Sequence, residues 1–192
     1  KTAYERGAIL SKAAQLMRER SRELGEITTR ESGKPIVEAQ REWPVAADLF
    51  EYYAEQGKRA YGYTVPSRLA TKRMLVRKEP IGVVGVITAW NFPAYNPARA
   101  IAAALGAGCT VVVRPAELTP LSAMAIVEIL EEAGLPPGVC NLVSAEAHAV
   151  GQAMLDHPEL RKLSFTGSVG VGKLLMDGAS RTMTRLSLEL GG

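Results

Sequence analysis

The stretch from Glu79 to Phe92, EPIGVVGVITAWNF, narrows the choice of fold more than any other part of this chain. Ile81, Val83, Val84, Val86 and Ile87 are apolar and β-branched without polar alternation, the pattern of a strand buried on both faces, as in a parallel sheet. The strand must stop at Trp90-Asn91-Phe92-Pro93, because Pro93 cannot donate to a ladder and restricts the residue before it. That puts a Trp and an Asn at the carboxyl end of a central strand, the edge where open α/β sheets bind ligands. An aromatic-capped turn with no ligand accounts for the same residues.

The remaining chain alternates around this strand. Ala94 to Leu105 reads as a helix, Thr110 to Val113 as a strand, Leu121 to Ala133 as a helix and Val139 to Val143 as a strand. Ala147 to Leu155 (helix), Lys162 to Phe165 (strand), Val169 to Ala179 (helix) and Thr184 to Leu190 (strand) follow. Strand and helix at this spacing form right-handed βαβ units in a parallel sheet. Upstream, Tyr4 to Glu31 carries apolar residues every three or four positions and is expected as one amphipathic helix ended by Gly33 and Pro35. A second helix runs from Val37 past Ala54, with Pro44 expected to kink or restart it, and fades at Gly62. Lys72 to Lys78 reads as an antiparallel or edge strand with one mostly basic face.

Composition removes several classes of function. The 23 basic and 20 acidic residues leave a net charge of +3 and form no long block, so nucleic acid is not an expected partner. The longest apolar run, Ala100 to Val113, is interrupted by Gly106, Gly108 and Thr110 and falls short of the roughly 20 residues a spanning helix requires. No membrane association is expected. With no signal-peptide pattern and only two cysteines, a cytoplasmic, reducing setting is the expectation. Cys109 and Cys140 lack a neighbouring cation that would favour the thiolate and read as small buried residues. His148 and His157 are too isolated to propose a metal site. The chain opens on Lys1 inside a helical pattern and closes on Gly191-Gly192 straight after a strand-like run, so a fragment is expected.

Three further junctions could carry chemistry. Phe165 to Gly172, FTGSVGVG, joins a strand to a helix, where free amides and the helix dipole favour an anion and Ser168 adds a hydroxyl; a plain βα turn with Ser168 as N-cap fits equally. Arg114, Pro115 and Glu117 end another strand on the same edge, where the Arg and the Glu could hold sugar hydroxyls or a phosphate, or form a solvated pair. Glu189 sits in an apolar run; burial would raise its pKa toward that of a general base, whereas an outward-facing position would not.

Taken together and in order, ITAWNFP (Ile87 to Pro93), VVVRPAELTP (Val111 to Pro120), FTGSVGVG and LELGG (Leu188 to Gly192) resemble the signatures of the aldehyde dehydrogenase superfamily. EAGLPPGVCNLV and the Asp156-His157-Pro158 step fit the same pattern, and the similarity runs over essentially the whole chain. The resemblance implies an α/β fold: a Rossmann-like parallel sheet with flanking helices, preceded by two helices and a short antiparallel strand arm. It also implies NAD(P)-dependent oxidation of an aldehyde to a carboxylic acid, in which a Cys nucleophile forms a thiohemiacetal, hydride leaves to the nicotinamide, and a Glu activates water against the thioester. By that similarity Asn91 is the oxyanion donor and Glu189 the base. Ile87, Thr88 and Trp90 wall the nucleotide cleft, Glu117 meets the adenosine ribose hydroxyls with Arg114 gripping the ribose, Ser168 and the helix it starts take the pyrophosphate, and Pro115, Gly151, Gly167 and Gly172 belong to the cofactor site. Arg99 is similar to an Arg that meets the distal carboxylate in the succinate-semialdehyde dehydrogenase branch; an exposed Arg on an Ala-rich helix is the alternative.

The resemblance further implies residues 1–66 and 81–192 as amino-terminal helices plus an incomplete cofactor domain, and 67–80 as a strand of an oligomerisation arm, in a homodimer or homotetramer when full length. NAD is the expected cofactor, with NADP the alternative. The family's nucleophilic Cys lies beyond LELGG, so neither Cys109 nor Cys140 matches it, and these 192 residues alone are expected to oxidise nothing. Arg114 stands where Lys is usual, and Ala145 where Gly often follows the strand, a position that Ala would strain if φ were positive. Two rivals stand beside this reading: a catalytically inactive nucleotide-binding or interaction module, and the acylating branch that passes the thioester to coenzyme A.

Overall fold

A computed structural model describes residues 1–191; Gly192, the last residue of LELGG, lies outside them. The chain forms seven helices and seven strands among the described residues: α1 (Ala3–Glu19), α2 (Ser21–Ser32), α3 (Ile36–Lys58), β1 (Tyr63–Val65), β2 (Met74–Val76), β3 (Val83–Ile87), α4 (Tyr95–Ala107), β4 (Thr110–Arg114), α5 (Leu121–Glu132), β5 (Cys140–Leu142), α6 (Ala147–Asp156), β6 (Leu160–Gly167), α7 (Val169–Thr182) and β7 (Arg185–Leu190). β3 to β7 make one parallel sheet in the order β5-β4-β3-β6-β7. The apolar stretch read as the organising strand is therefore its centre. The chain steps outward from β3 through β4 to β5, then returns across β3 to β6 and β7, so the strand order reverses beside β3. At such a reversal the loops leaving neighbouring strands diverge and open a crevice at their carboxyl ends.

Helices cover both faces. On one, α4 and α5 pack under an outer layer of α1 to α3, around Trp43, Phe50, Ile101, Val86 and Val113, all fully buried. On the other, α6 and α7 close over Ile87, Leu155, Leu163 and Phe165. Fully burying such a side chain contributes about 1.5–3 kcal/mol, and the two clusters fix the sheet from both sides. Where α3 crosses α4 the backbones nearly touch: a Cβ on Gly57 would lie 2.6 Å from the Gly106 carbonyl oxygen, so only glycine fits at the crossing.

Three local expectations change. The single helix expected over Tyr4 to Glu31 is two, because Arg20 leaves the helical region (φ −101°, ψ 12°). The bend turns Thr28 inward, where its hydroxyl meets Ser122 Oγ at 2.8 Å and accepts from Trp43 Nε1 at 3.0 Å, tying α2, α3 and α5 together. Pro44 neither ends nor restarts α3, which runs through it; Trp43, Ala46 and Ala47 on either side are fully buried, and their packing holds the helix across the missing N–H. Finally, the short antiparallel arm that the resemblance implied is present, but its second strand was not read from the sequence: β1 pairs antiparallel with β2, Tyr63 opposite Val76, as a hairpin whose residues are mostly exposed. No helix among the described residues is long and apolar enough to cross a membrane.

Candidate active site

A cleft of about 1340 Å³ opens at the carboxyl ends of the central strands. Ile87, Thr88, Trp90, Asn91, Arg99, Arg114, Glu117, Gly151, Gly167, Ser168 and Glu189, all singled out from the sequence, line it. Pro115 and Gly172 do not. Pro115 is buried behind the wall, and Gly172 lies beneath Leu190, whose Cδ2 would be 2.8 Å from any added Cβ.

At the end of β3 the chain turns through Trp90, Asn91 and Phe92, all exposed toward the cleft, while Pro93 and Ala94 are buried. Asn91 is held on one side: its Oδ1 accepts from Asn96 Nδ2 at 3.1 Å, which leaves both hydrogens of the Asn91 amide to be donated elsewhere. Asn96 is buried in the first turn of α4. The sequence reading missed it, although Asn96-Pro97 one turn after Asn91 is the spacing that allows such a contact. Across the cleft, β6 runs on to Gly167, longer than expected, and pairs Thr166 with Glu189 on β7.

Glu189 is not buried. Its side chain is 61% exposed and forms an ion pair with Arg99 at 3.0 Å, so of the two positions considered for it the outward-facing one is found: β7 is the outer strand of the sheet, and its alternate residues face outward. Arg99, expected either to meet substrate or to lie on a solvated face, lines the cleft, with its other nitrogen donating to Thr166 Oγ1 at 3.1 Å.

The Arg114 environment also departs from a solvated pair. Its side chain is 4% exposed, donates from Nε and Nη2 to the Ala145 carbonyl (3.3 and 3.2 Å), and pairs with Glu117. The Glu117 backbone amide, and then the Arg114 guanidinium, hold the Glu117 carboxyl below its usual range. Ala145 carries no positive φ, so the strain considered for it does not arise. Glu146, which sequence reasoning overlooked, caps α6 by accepting from the His148 and Ala149 amides (2.8 and 2.7 Å), and those bonds lower its pKa. An acidic residue ahead of an Ala-rich helix was the available signal.

At α7, Ser168 is the N-cap, its Oγ accepting from Val171 N at 3.3 Å. The Val169 and Gly170 amides have no acceptor within the helix, and a Cβ on Gly170 would meet nothing within 4 Å. This turn therefore suits an anion that approaches closely, and Glu117 on the opposite wall suits a pair of hydroxyls; the two together match the chemistry of a dinucleotide. Both cysteines are buried, and burial pushes the Cys140 thiol up to about 12, so it supplies no thiolate. Among the described residues no group of three His, Cys, Asp or Glu could hold a metal.

The profile of the aldehyde dehydrogenase family matches residues 1–192. The chain belongs to the aldehyde dehydrogenase family. Among curated aldehyde dehydrogenases it is 49% identical to the mitochondrial succinate-semialdehyde dehydrogenase of Arabidopsis thaliana over 191 residues, covering 100% of this chain and 36% of that protein. It is 48% identical to the NADP(+) succinate-semialdehyde dehydrogenase of Escherichia coli K12, covering 100% of this chain and 40% of that protein. Among solved structures, the succinate-semialdehyde dehydrogenase of Burkholderia pseudomallei superposes with a TM-score of 0.98 at 49% identity, over 100% of this chain and 40% of that one. The chain thus spans well under half the length of the aldehyde dehydrogenases it matches.

Proposed function

We propose that this chain is the cofactor-binding part of an aldehyde dehydrogenase that oxidises a carboxylate-bearing aldehyde of the succinate-semialdehyde type, with a nucleophilic Cys supplied from outside these residues. The observation that carries the reading is the Asn91 amide, fixed by Asn96 with its donors free, in the same cleft as Glu189. Asn91 donates to the oxygen of the aldehyde as it becomes an oxyanion, and a donor aimed at developing charge contributes a few kcal/mol to the transition state. Glu189 takes the proton of the water that attacks the thioester. NAD, when bound, supplies the hydride acceptor. Ser168 and the free amides of α7 would hold its pyrophosphate and Glu117 its ribose hydroxyls. The β1–β2 hairpin, which includes part of the 67–80 segment, is proposed as the arm of a dimer or tetramer.

Arg99 is the basis for the substrate class. Its guanidinium, presented to the cleft from α4, suits a distal carboxylate. In the complete enzyme kcat/KM for succinate semialdehyde should exceed that for an uncharged aldehyde of equal length by about 10-fold or more, and Arg99→Ala should erase the difference, a loss of about 1.4 kcal/mol per tenfold. Equal kcat/KM values in the unsubstituted enzyme would remove the semialdehyde assignment.

For the cofactor, Glu117 accepts from both ribose hydroxyls of NAD but meets the 2′-phosphate of NADP as a like charge, which at about 4 Å costs ~1 kcal/mol in water and more where water is excluded. Arg114 cannot answer freely, since it is engaged by Ala145 and Glu117. NAD should be preferred by about 10-fold in kcat/KM. Glu117→Ser frees part of the Arg114 fork and should narrow or invert that preference. An unsubstituted enzyme that favours NADP would show that Arg114 governs the site.

A further inference from the structure

The loop that presents Asn91 is clasped from outside the sheet. Glu42, on α3, is a buried carboxylate with a side chain 4% exposed. Its Oε1 accepts from the Ala94 and Tyr95 amides at 2.9 and 3.0 Å, the first turn of α4, whose own N-cap residue Ala94 offers no side-chain acceptor. Its Oε2 meets Lys34 Nζ at 2.5 Å, and Lys34 in turn sits 4.1 Å from the centre of the Phe92 ring. Lys34 and Glu42 therefore grip both sides of Pro93: the ring of Phe92 before it and the amides of Ala94 and Tyr95 after it. Asn91 is the next residue back, and its partner Asn96 the next residue on.

Nothing in the packing requires a charge at this point. A helix start can be capped by a local Ser, Thr or Asp, whereas here a buried carboxylate comes from 52 residues away and needs a lysine to neutralise it. A local cap would fix α4 alone. The ion pair fixes α4 relative to Phe92, and so sets the one turn between the end of β3 and the Asn91–Asn96 bond.

We infer that Lys34 and Glu42 are positioning residues for the Asn91 oxyanion donor, acting through the Phe92–Tyr95 turn rather than on substrate. The inference rests on the proposed role of Asn91. Its test is a double-substitution cycle in the complete enzyme, reading kcat for an aldehyde and the dissociation constant of NAD. Glu42→Gln, which keeps shape and one acceptor but loses the charge, should lower kcat about 10-fold and leave NAD affinity unchanged, because the cofactor walls at Glu117 and Ser168 are not held by this pair. Lys34→Met should do the same, and Lys34→Arg should restore most of the loss. In an Asn91→Ala background neither Glu42→Gln nor Lys34→Met should lower kcat further, since the group they place is gone. Equal fold-losses in both backgrounds, or wild-type kcat in Glu42→Gln, would overturn the inference while leaving the Asn91 role intact. Wild-type kcat in Asn91→Ala would instead overturn the oxyanion reading itself. If Glu42→Gln and Lys34→Met both fail to yield folded enzyme, the pair is a folding determinant and the inference is likewise overturned.

Discussion

Replacing Asn91 by Ala should lower aldehyde turnover of the complete enzyme by about 100-fold or more, with little change in NAD affinity. The size follows from the kind of interaction removed. A preorganised amide donor strengthens as charge builds on the substrate oxygen, so its loss falls on kcat rather than on cofactor binding. The substitution leaves the β3 core untouched, since Asn91 is exposed at the cleft mouth, but it also removes the acceptor of the buried Asn96 amide, its single side-chain partner among the described residues. Steady-state kcat together with a fluorescence titration of NAD checks it. A weakened cofactor with unchanged kcat would place Asn91 on the nucleotide instead of the oxyanion.

Glu189→Gln should separate the two halves of the reaction. Without a base for water, acylation proceeds and deacylation stalls, and a general base is typically worth 10²–10⁴-fold, so the expected trace is a burst of reduced cofactor about equal to the enzyme concentration followed by little turnover. The amide is isosteric, and its oxygen can still accept from Arg99, so the contact that holds the β7 side chain near α4 survives. Stopped-flow measurement of cofactor reduction reads both phases. Steady turnover near that of the unsubstituted enzyme would end the assignment of Glu189 as base.

The sheet was legible in the sequence because its central strand is apolar on both faces and most βα junctions are punctuated by Gly or Pro. The parallel sense of the sheet follows from that alternation and from the rule for right-handed crossovers, whereas the order β5-β4-β3-β6-β7 is read from the structure. What escaped was set by pairing at a distance. β1 has only Tyr63, Thr64 and Val65, too few to show a period, and it exists because β2 lies opposite it. The break at Arg20 leaves the apolar spacing of α1 and α2 nearly continuous, and only the need to bring Thr28 to Trp43 and Ser122 explains the bend.

The site divides in the same way. Residues at strand ends, such as Trp90, Asn91 and Glu117, could be assigned to the cleft edge from position alone, while their environments could not. Glu189 was weighed as a buried carboxylate because its neighbours Leu188 and Leu190 are apolar; period-two alternation on an edge strand turns it outward instead, to Arg99. Arg114 is deeply buried because the Ala145 carbonyl, 31 residues later, satisfies its fork. Glu42 is the extreme case, since nothing around it in α3 marks a carboxylate that caps a helix 52 residues further along the chain.

The most direct test of the account is a product balance on the complete enzyme given succinate semialdehyde and NAD in the absence of coenzyme A. The account predicts reduced cofactor and dicarboxylic acid in equal amounts, formed continuously. No cofactor reduction at all, as for an inactive binding module, or product formation only after coenzyme A is added, as for an acylating enzyme, would contradict it.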